Sequence, residues 1–407
     1  MRLSVFSVLL ALGCLLFSVT TTGIAALKSQ PELKKMLRID WQRGPNLPQG
    51  FQDSGGDFVG DYLVTVGGFC SGLDESRKPG HYPRGFLNKA WALNTSDSHT
   101  SWQRLPDFPG VARQELFGLT VNNELYLWGG FNYTEPYCYA DGYKLSRKSG
   151  KWSWSKLPDL PWPLGSSAVC AIGDKIYISG GSDYDSNAFY TECDRKGQNQ
   201  RMGSRLLVFE TRKREKGWTR LADCPGTPRW VACMAAVKGR IYLIGGATGD
   251  HAGMPQYAQS PGYKTVVDNW IYDPKTDKWQ PMSDLSISSG NFPSGTIVYK
   301  NRYILLIGGC QYPKATNPDG TVRDSYGTPS KLNGTGTYFN DVFVYDTAKG
   351  IFGTADPLPI NNNLPLAVIR RNEIFLMGGE CDGTIIDGEY YGRHPDLFLK
   401  GRISVVR

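Results

Sequence analysis

Thr227-Pro-Arg229, Ala232 to Val237, the turn Lys238-Gly239, Ile241-Tyr-Leu-Ile-Gly245-Gly246, a long polar loop, Asp268-Asn-Trp-Ile-Tyr272-Asp273 and then Trp279 with Leu285 follow one another between Gly226 and Leu285. Short apolar and aromatic runs bounded by turn residues read as strands, here four of them. Two adjacent glycines close the second strand, a tyrosine followed by aspartate ends the third, and a tryptophan opens the fourth.

The same order surrounds every Gly-Gly that follows an apolar run, with first glycines at Gly67, Gly129, Gly180, Gly245, Gly308 and Gly378, 51 to 70 residues apart. Self-similarity at a near-constant period marks a repeat architecture. A lone four-stranded sheet cannot bury both faces, so six copies must stack into a closed ring.

The motif words Leu63-Val-Thr-Val-Gly-Gly68, Tyr126-Leu-Trp-Gly-Gly130, Tyr177-Ile-Ser-Gly-Gly181, Tyr242-Leu-Ile-Gly-Gly246, Ile304-Leu-Leu-Ile-Gly-Gly309 and Phe375-Leu-Met-Gly-Gly379 resemble the Kelch-repeat family of β-propellers. The resemblance runs from about Ile39 to the end of the chain. It implies an all-β, six-bladed propeller. Ile39-Asp-Trp41-Gln-Arg-Gly-Pro-Asn-Leu47 matches the fourth strand of a unit yet precedes the first copy, while the last copy lacks a tryptophan strand. The N-terminal strand is therefore expected to complete blade six, which removes a free edge.

Ahead of the ring, Leu9-Leu-Ala-Leu and Leu15-Leu-Phe17 form a short apolar core behind Arg2, and Gly23-Ile-Ala25 supplies a small-residue cleavage site. This reads as a secretory signal over residues 1–25, followed by a leader over 26–38 and a single propeller domain over 39–407. The alternative is an uncleaved anchor, although the apolar run falls short of the roughly 20 residues a span needs. The expected location is outside the cytoplasm, in the periplasm for a bacterial host, with no stable membrane insertion after cleavage.

The formal charge of +7 over 407 residues is thinly spread. Lys34-Lys35 and Arg212-Lys-Arg214 with Lys216 do not alternate with aromatic residues, so solvated turns rather than nucleic-acid binding are expected. Eight cysteines lie beyond the signal and none has Cys-x-x-Cys spacing, which favours disulfides over structural zinc. Cys70 and Cys381 follow the first and last Gly-Gly and are expected to pair across the closure seam. Asn94, Asn132 and Asn333 begin N-glycosylation triplets.

Loops between the second and third strands run from 12 to 29 residues, all on one face, and loops of that length are commonly functional. The site is therefore expected on that face. At the inner-strand starts stand Arg113, Arg229, Asn291 and Asn363, and Glu115 is a charge where the copies aligned with it are apolar. Two readings stand: Glu115 as an acid or base with Arg113 and Arg229 holding an anion, or Arg113 and Glu115 as a structural pair. His81, His251 and His394 fall in the long loops with Glu380. Surface histidines are the plain reading of all three, His251 and His394 are candidate ligand contacts beside Asn291 and Asn363, and no metal or other cofactor is called for.

Tyrosines crowd the same loops, from Tyr133 and Tyr139 to Tyr390 and Tyr391, and suit sugars or flexible polypeptides. The resemblance extends to the exported sialic acid epimerases. That branch implies a sugar ligand, with Glu115 or Glu380 exchanging the anomeric protons. The competing expectation is a non-catalytic module that grips a protein partner through its Tyr-rich face.

Overall fold

A computed structural model describes residues 33–70, 84–97, 101–134, 136–182, 202–249, 263–284, 296–311, 337–381, 384–386, 389–391 and 393–406. It contains six four-stranded antiparallel sheets. Their inner strands, Gly55–Val59, Phe117–Val121, Ala168–Ile172, Cys233–Val237, Thr296–Tyr299 and Leu366–Arg370, touch one another in cyclic order, the last against the first. The fold is the expected six-bladed propeller, and no α-helix occurs among the described residues.

Blade six is closed by the N-terminus. Leu37–Arg43 pairs antiparallel with Phe398–Val405, which in turn pairs with Glu373–Met377. Trp41 stands opposite Gly401, where an added Cβ would meet the Trp41 ring at 2.7 Å. The closing strand begins at Leu37 rather than Ile39, because Leu37 is itself fully buried in the wedge between blades five and six.

The core is divided into six wedges, one per blade junction. Leu125, Leu127 and Leu145 pack with Val64, Val66 and Ala92 between blades one and two. Leu63, Leu93, Phe375, Met377 and Phe398 do the same across the closure seam. Second strands are covered on both faces, so Ile241, Leu243 and Ile244 are all buried. That is why they read as continuous apolar runs, as central strands do. The fourth strands alternate exposure, as in Lys151–Leu157 and Lys278–Met282. Tryptophans on or just ahead of these outer strands reach to the preceding blade, with Trp102, Trp154 and Trp279 donating to the carbonyls of Pro45, Pro106 and Ala222.

The Gly-Gly pairs lock blade to blade. The first glycine of each has φ between +59 and +70 and the second between +92 and +108. The second glycine's N–H donates to the next blade, as Gly68 does to Arg113, Gly130 to Leu164, Gly181 to Arg229, Gly309 to Asn362 and Gly379 to Phe51. A Cβ on Gly308 would stand 2.1 Å from the Asn362 carbonyl oxygen. Only glycine combines this backbone conformation with such an approach.

The expected Cys70–Cys381 bridge is not made, and the seven described cysteines are buried thiols. Cys381 faces the wedge between blades five and six, among Ile297, Leu376 and Leu397, away from blade one. Asn132 is also unsuited to carry a glycan. It is 4% exposed, its Nδ2 donates to the Ala112 carbonyl, and its Oδ1 accepts from the Thr134 N–H. Asn94 ends the strand Ala90–Asn94, half-buried and with its Oδ1 accepting from the Ser96 N–H, whereas Asn333 lies outside the described residues.

Candidate functional site at the channel mouth

The residue two places ahead of each described inner strand takes a left-handed backbone: Asp53, Glu115, Ser166, Val231 and Leu364 have φ from +49 to +59. Their peptide groups link around the channel. Asp53 N–H donates to the Leu364 carbonyl at 3.3 Å, Glu115 N–H to Asp53 at 2.8 Å, and Val231 N–H to Ser166 at 2.9 Å. A left-handed backbone costs a β-branched residue such as Val231 about 1–2 kcal/mol. Val231 and Leu364 adopt it all the same, so ring closure imposes the conformation and only the side chains distinguish the blades. The equivalent of blade five lies outside the described residues.

Next to this collar, Gln52, Gln114, Gly165, Trp230 and Asn363 form single antiparallel bridges with the residue after Gly-Gly, namely Phe69, Phe131, Ser182, Ala247 and Glu380. Blades one, two and six thereby bring Asp53, Glu115 and Glu380 to one place. Asp53 is 3% exposed. Its burial, then the charges of Glu115 and Glu380, push its carboxyl well above the ordinary carboxylate range.

Glu380 is held differently. Burial acts to raise it, but Arg393 foremost and then His394 bring it below its usual value. Arg393 donates Nε at 2.7 Å and Nη2 at 2.5 Å to Oε1, and Asn363 Nδ2 lies 3.4 Å from Oε2. His394 Nε2 is 3.9 Å from Oε1. Burial lowers His394 to about 4 against the opposing pull of Glu380, so at neutral pH it is an uncharged ring and no ion pair. Glu115 is half-buried and accepts a hydrogen bond from Ser166 Oγ across the next blade junction.

An aromatic wall borders the carboxylates. Phe86 lies 4.9 Å from Tyr133 and 5.0 Å from Phe69 between ring centroids, and Phe131 lies 5.7 Å from Tyr133. Tyr133 is 51% exposed. Its phenol is pushed up to about 12 by desolvation and by Glu115, Glu380 and Asp53. The Arg84 guanidinium stands 5.4 Å from the Phe69 ring centroid. Below the collar a cavity of about 310 Å³ follows the channel, lined by Gly55, Leu116, Val169, Met234, Ile297 and Leu366 among others, with Asp57 its one charged wall. A polar mouth over an apolar shaft is the usual make-up of a small-ligand site.

Arg113 and Arg229 are not in this arrangement. Arg113 is fully buried and donates to the carbonyls of Val111 and Gly129 and, in a fork, to both oxygens of Asp141. Arg229 repeats the pattern with Thr227, Gly245 and Asp268. Four of the five N–H groups of each guanidinium are engaged in this way, leaving no fork for an anion. Nor is Asp141, the forked partner of Arg113, the expected Glu115. In blade six the place of Arg113 falls to Asn362, whose Nδ2 donates to the Gly378 carbonyl, one residue earlier than the expected Asn363. Asn363 instead belongs to the bridge that carries Glu380. His81, His251 and Asn291 lie outside the described residues.

Asp53, Ser166, Arg84 and Arg393 escape the sequence reading. Asp53 was legible in principle, since it stands to Gly55 as Glu115 stands to Phe117. The glycine-rich inner strand Gly55-Gly-Asp-Phe-Val59 lacks the apolar run that would have aligned it.

Residues 118–379 match the family model for the KLHDC2/KLHL20/DRC7 Kelch-repeats domain. An N-acetylneuraminate epimerase from Haemophilus influenzae (strain 86-028NP) is 25% identical over 364 residues, covering 84% of this chain and 89% of that protein. An N-acetylneuraminate epimerase from Pasteurella multocida (strain Pm70) is 24% identical over 366 residues, covering 83% and 88%. The solved structure of YjhT superposes with a TM-score of 0.60 at 16% identity, over 89% of this chain and 99% of that one.

Proposed function

This chain belongs to the Kelch-repeat family, and from that premise we propose that its channel mouth binds a carbohydrate and interconverts the sugar's anomers by proton transfer. One observation carries the reading: three blades deliver Asp53, Glu115 and Glu380 to a single collar beside an aromatic wall. The epimerase names of relatives aligned over most of the chain support it.

Anomer exchange requires the anomeric hydroxyl to lose a proton and the ring oxygen to gain one. The bond from the anomeric carbon to the ring oxygen then breaks, the carbonyl so formed rotates, and the ring recloses on its other face as the two protons return. Carboxyl groups at the mouth supply such transfers, each contributing about 10²–10⁴-fold. Glu115, half-buried with one oxygen fixed by Ser166, is the group we assign to meet the sugar. Glu380, held ionised by Arg393, is the proton acceptor. Arg393 and Arg84 are placed to meet an acidic sugar's carboxylate, and Phe86 with Tyr133 to cover its apolar face.

We place the protein outside the cytoplasm on the strength of residues 1–25. The competing use of this face, a grip on a protein partner, draws on the half-exposed Tyr133 at the head of the aromatic wall.

Exchange spectroscopy on the anomers of N-acetylneuraminate and of a neutral hexose tests the reading. Acceleration by the protein is expected, reduced by about 100-fold or more in Glu115→Gln with the fold intact. Sugar resonances that neither shift nor exchange would remove the carbohydrate reading in favour of a protein partner.

A further inference from the structure

We infer that Asp53 is a positioning residue that keeps a proton beside Glu115, making the two carboxyls of neighbouring blades a shared-proton pair from which the sugar's ring oxygen is protonated. The inference rests on the carbohydrate reading of the same site. It begins from an orphaned atom: Asp53 is 3% exposed, and its Oδ2 has no hydrogen-bond partner among the described residues. A buried carboxylate oxygen without a donor is costly, and such an exception calls for a physical reason.

The surroundings supply one. Glu115 faces Asp53 from blade two and Glu380 from blade six, with Gln52 the adjoining side chain. Three carboxyls thus share the collar. The cation at hand, Arg393, is engaged by Glu380, while Arg113 is turned to Asp141. Arg84 stands over Phe69, and its charge acts on Tyr133 and His394 rather than on Asp53. His394 is neutral and Tyr133 keeps its proton, so neither offsets a second charge. No lysine or arginine pairs with Asp53 among the described residues. Like charges crowded in a dry site cannot all ionise, and the most buried member keeps the proton. A protonated Asp53 turns the orphaned acceptor into an O–H donor with Glu115 and Glu380 as its neighbouring carboxylates.

Backbone geometry holds the pair together. Asp53 and Glu115 both take the left-handed collar conformation, and Glu115 N–H donates to the Asp53 carbonyl at 2.8 Å. In the reaction, the pair's one proton passes from Asp53 through the Glu115 carboxyl to the ring oxygen as Glu380 takes the anomeric proton, and on reclosure the ring hydroxyl gives its proton back to the pair. The base side of the site then returns the proton removed from the anomeric hydroxyl, so no net charge accumulates. Pairs of carboxyls whose environments push them apart are how one site runs acid and base steps at neutral pH.

Carboxyl carbon-13 NMR titration of the full chain, wild type and Asp53→Asn, tests this without any sugar. One aspartate carboxyl titrating well above the ordinary aspartate range in the wild type, missing from Asp53→Asn, is the expected result. All aspartates titrating within the ordinary carboxylate range would overturn it, and that measurement on the wild type alone suffices should the variant fold poorly. For exchange kinetics, Asp53→Asn should move the alkaline fall of the rate profile down by about one pH unit while leaving KM unchanged. An unmoved profile overturns the pair. A high-titrating Asp53 in a protein that exchanges no sugar would uphold the shared proton and sink the carbohydrate reading, which keeps the two failures distinct.

Discussion

Arg113 points its guanidinium at Asp141 and Gly129, whereas Glu115, two residues on, meets Ser166 across a blade junction. Their spacing in sequence suggested a pair. The left-handed turn at Glu115 separates them, because it swings the chain from the blade interior to the channel mouth. His394 is the residue whose burial is most readily measured. It is depressed to about 4 from an ordinary value near 6.5, so between these values the unfolded chain binds more protons. The stability contributed by the neutral ring is complete above pH 6.5 and is lost as the pH falls through 4, by up to about 3 kcal/mol. Asp53, raised in the fold, acts oppositely, since its contribution is lost as pH rises. Urea midpoints of wild type and His394→Gln from pH 7 to pH 4 separate the two: the loss on acidification should be smaller in the variant. Equal losses would mean that His394 protonates as readily folded as unfolded.

The strands were legible because burial on two faces writes a continuous apolar run, and the glycines after it repeat without exception. The same words hid what Gly-Gly does. Alone they suggest a sharp departure, whereas its second N–H and its missing side chains serve the next blade's backbone. The long loops were legible only as lengths. Four of them start as two-stranded ribbons, at Phe69–Cys70 with Gly85–Phe86, Ala247–Gly249 with Tyr263–Thr265, Cys310–Gln311 with Thr337–Tyr338, and Thr384–Ile386 with Glu389–Tyr391. Such two- and three-residue strands carry too little pattern to read. A matched pair of substitutions tests the interblade role of the glycines. Gly308→Ala meets both a positive φ of 66° and the Asn362 carbonyl at 2.1 Å, while Gly239→Ala has φ of 78° with nothing within 4 Å. Gly239→Ala should cost about 1 kcal/mol for the backbone alone. Gly308→Ala should cost about 3 kcal/mol or more, since the blades must also part. Similar denaturation midpoints for the two would show that the junction yields freely.

At the level of the whole ring, the N-terminal strand joins stability to the candidate site. Leu37–Arg43 is the outer strand of blade six, and Leu37 and Ile39 fill the wedge against blade five. The chain then crosses the seam, where Leu47 N–H donates to the Asp396 carbonyl and Phe51 accepts from Gly379, before reaching Asp53. Glu380, Arg393 and His394 lie on the blade-six side of that crossing, Asp53 and Glu115 on the other. The displaced Trp41 strand was the feature of the sequence that announced closure; the site's dependence on it was not legible, since it arises only when residues at opposite ends of the chain become neighbours. Removing residues 1–43 should therefore leave Phe398–Val405 as a bare edge open to pairing with other chains. It should also loosen the seam before the rest of the ring. Hydrogen exchange is expected to rise first in Phe398–Val405 and Glu373–Met377, with the inner strands of blades three and four still protected. Aggregation should increase with concentration. Supplying residues 34–47 as a peptide should restore protection, because the strand's contacts with blade six are backbone pairing and a filled wedge. Exchange rising evenly over all six blades would mean that the ring opens as one cooperative unit, and an unchanged pattern would show that the strand does not hold the ring shut.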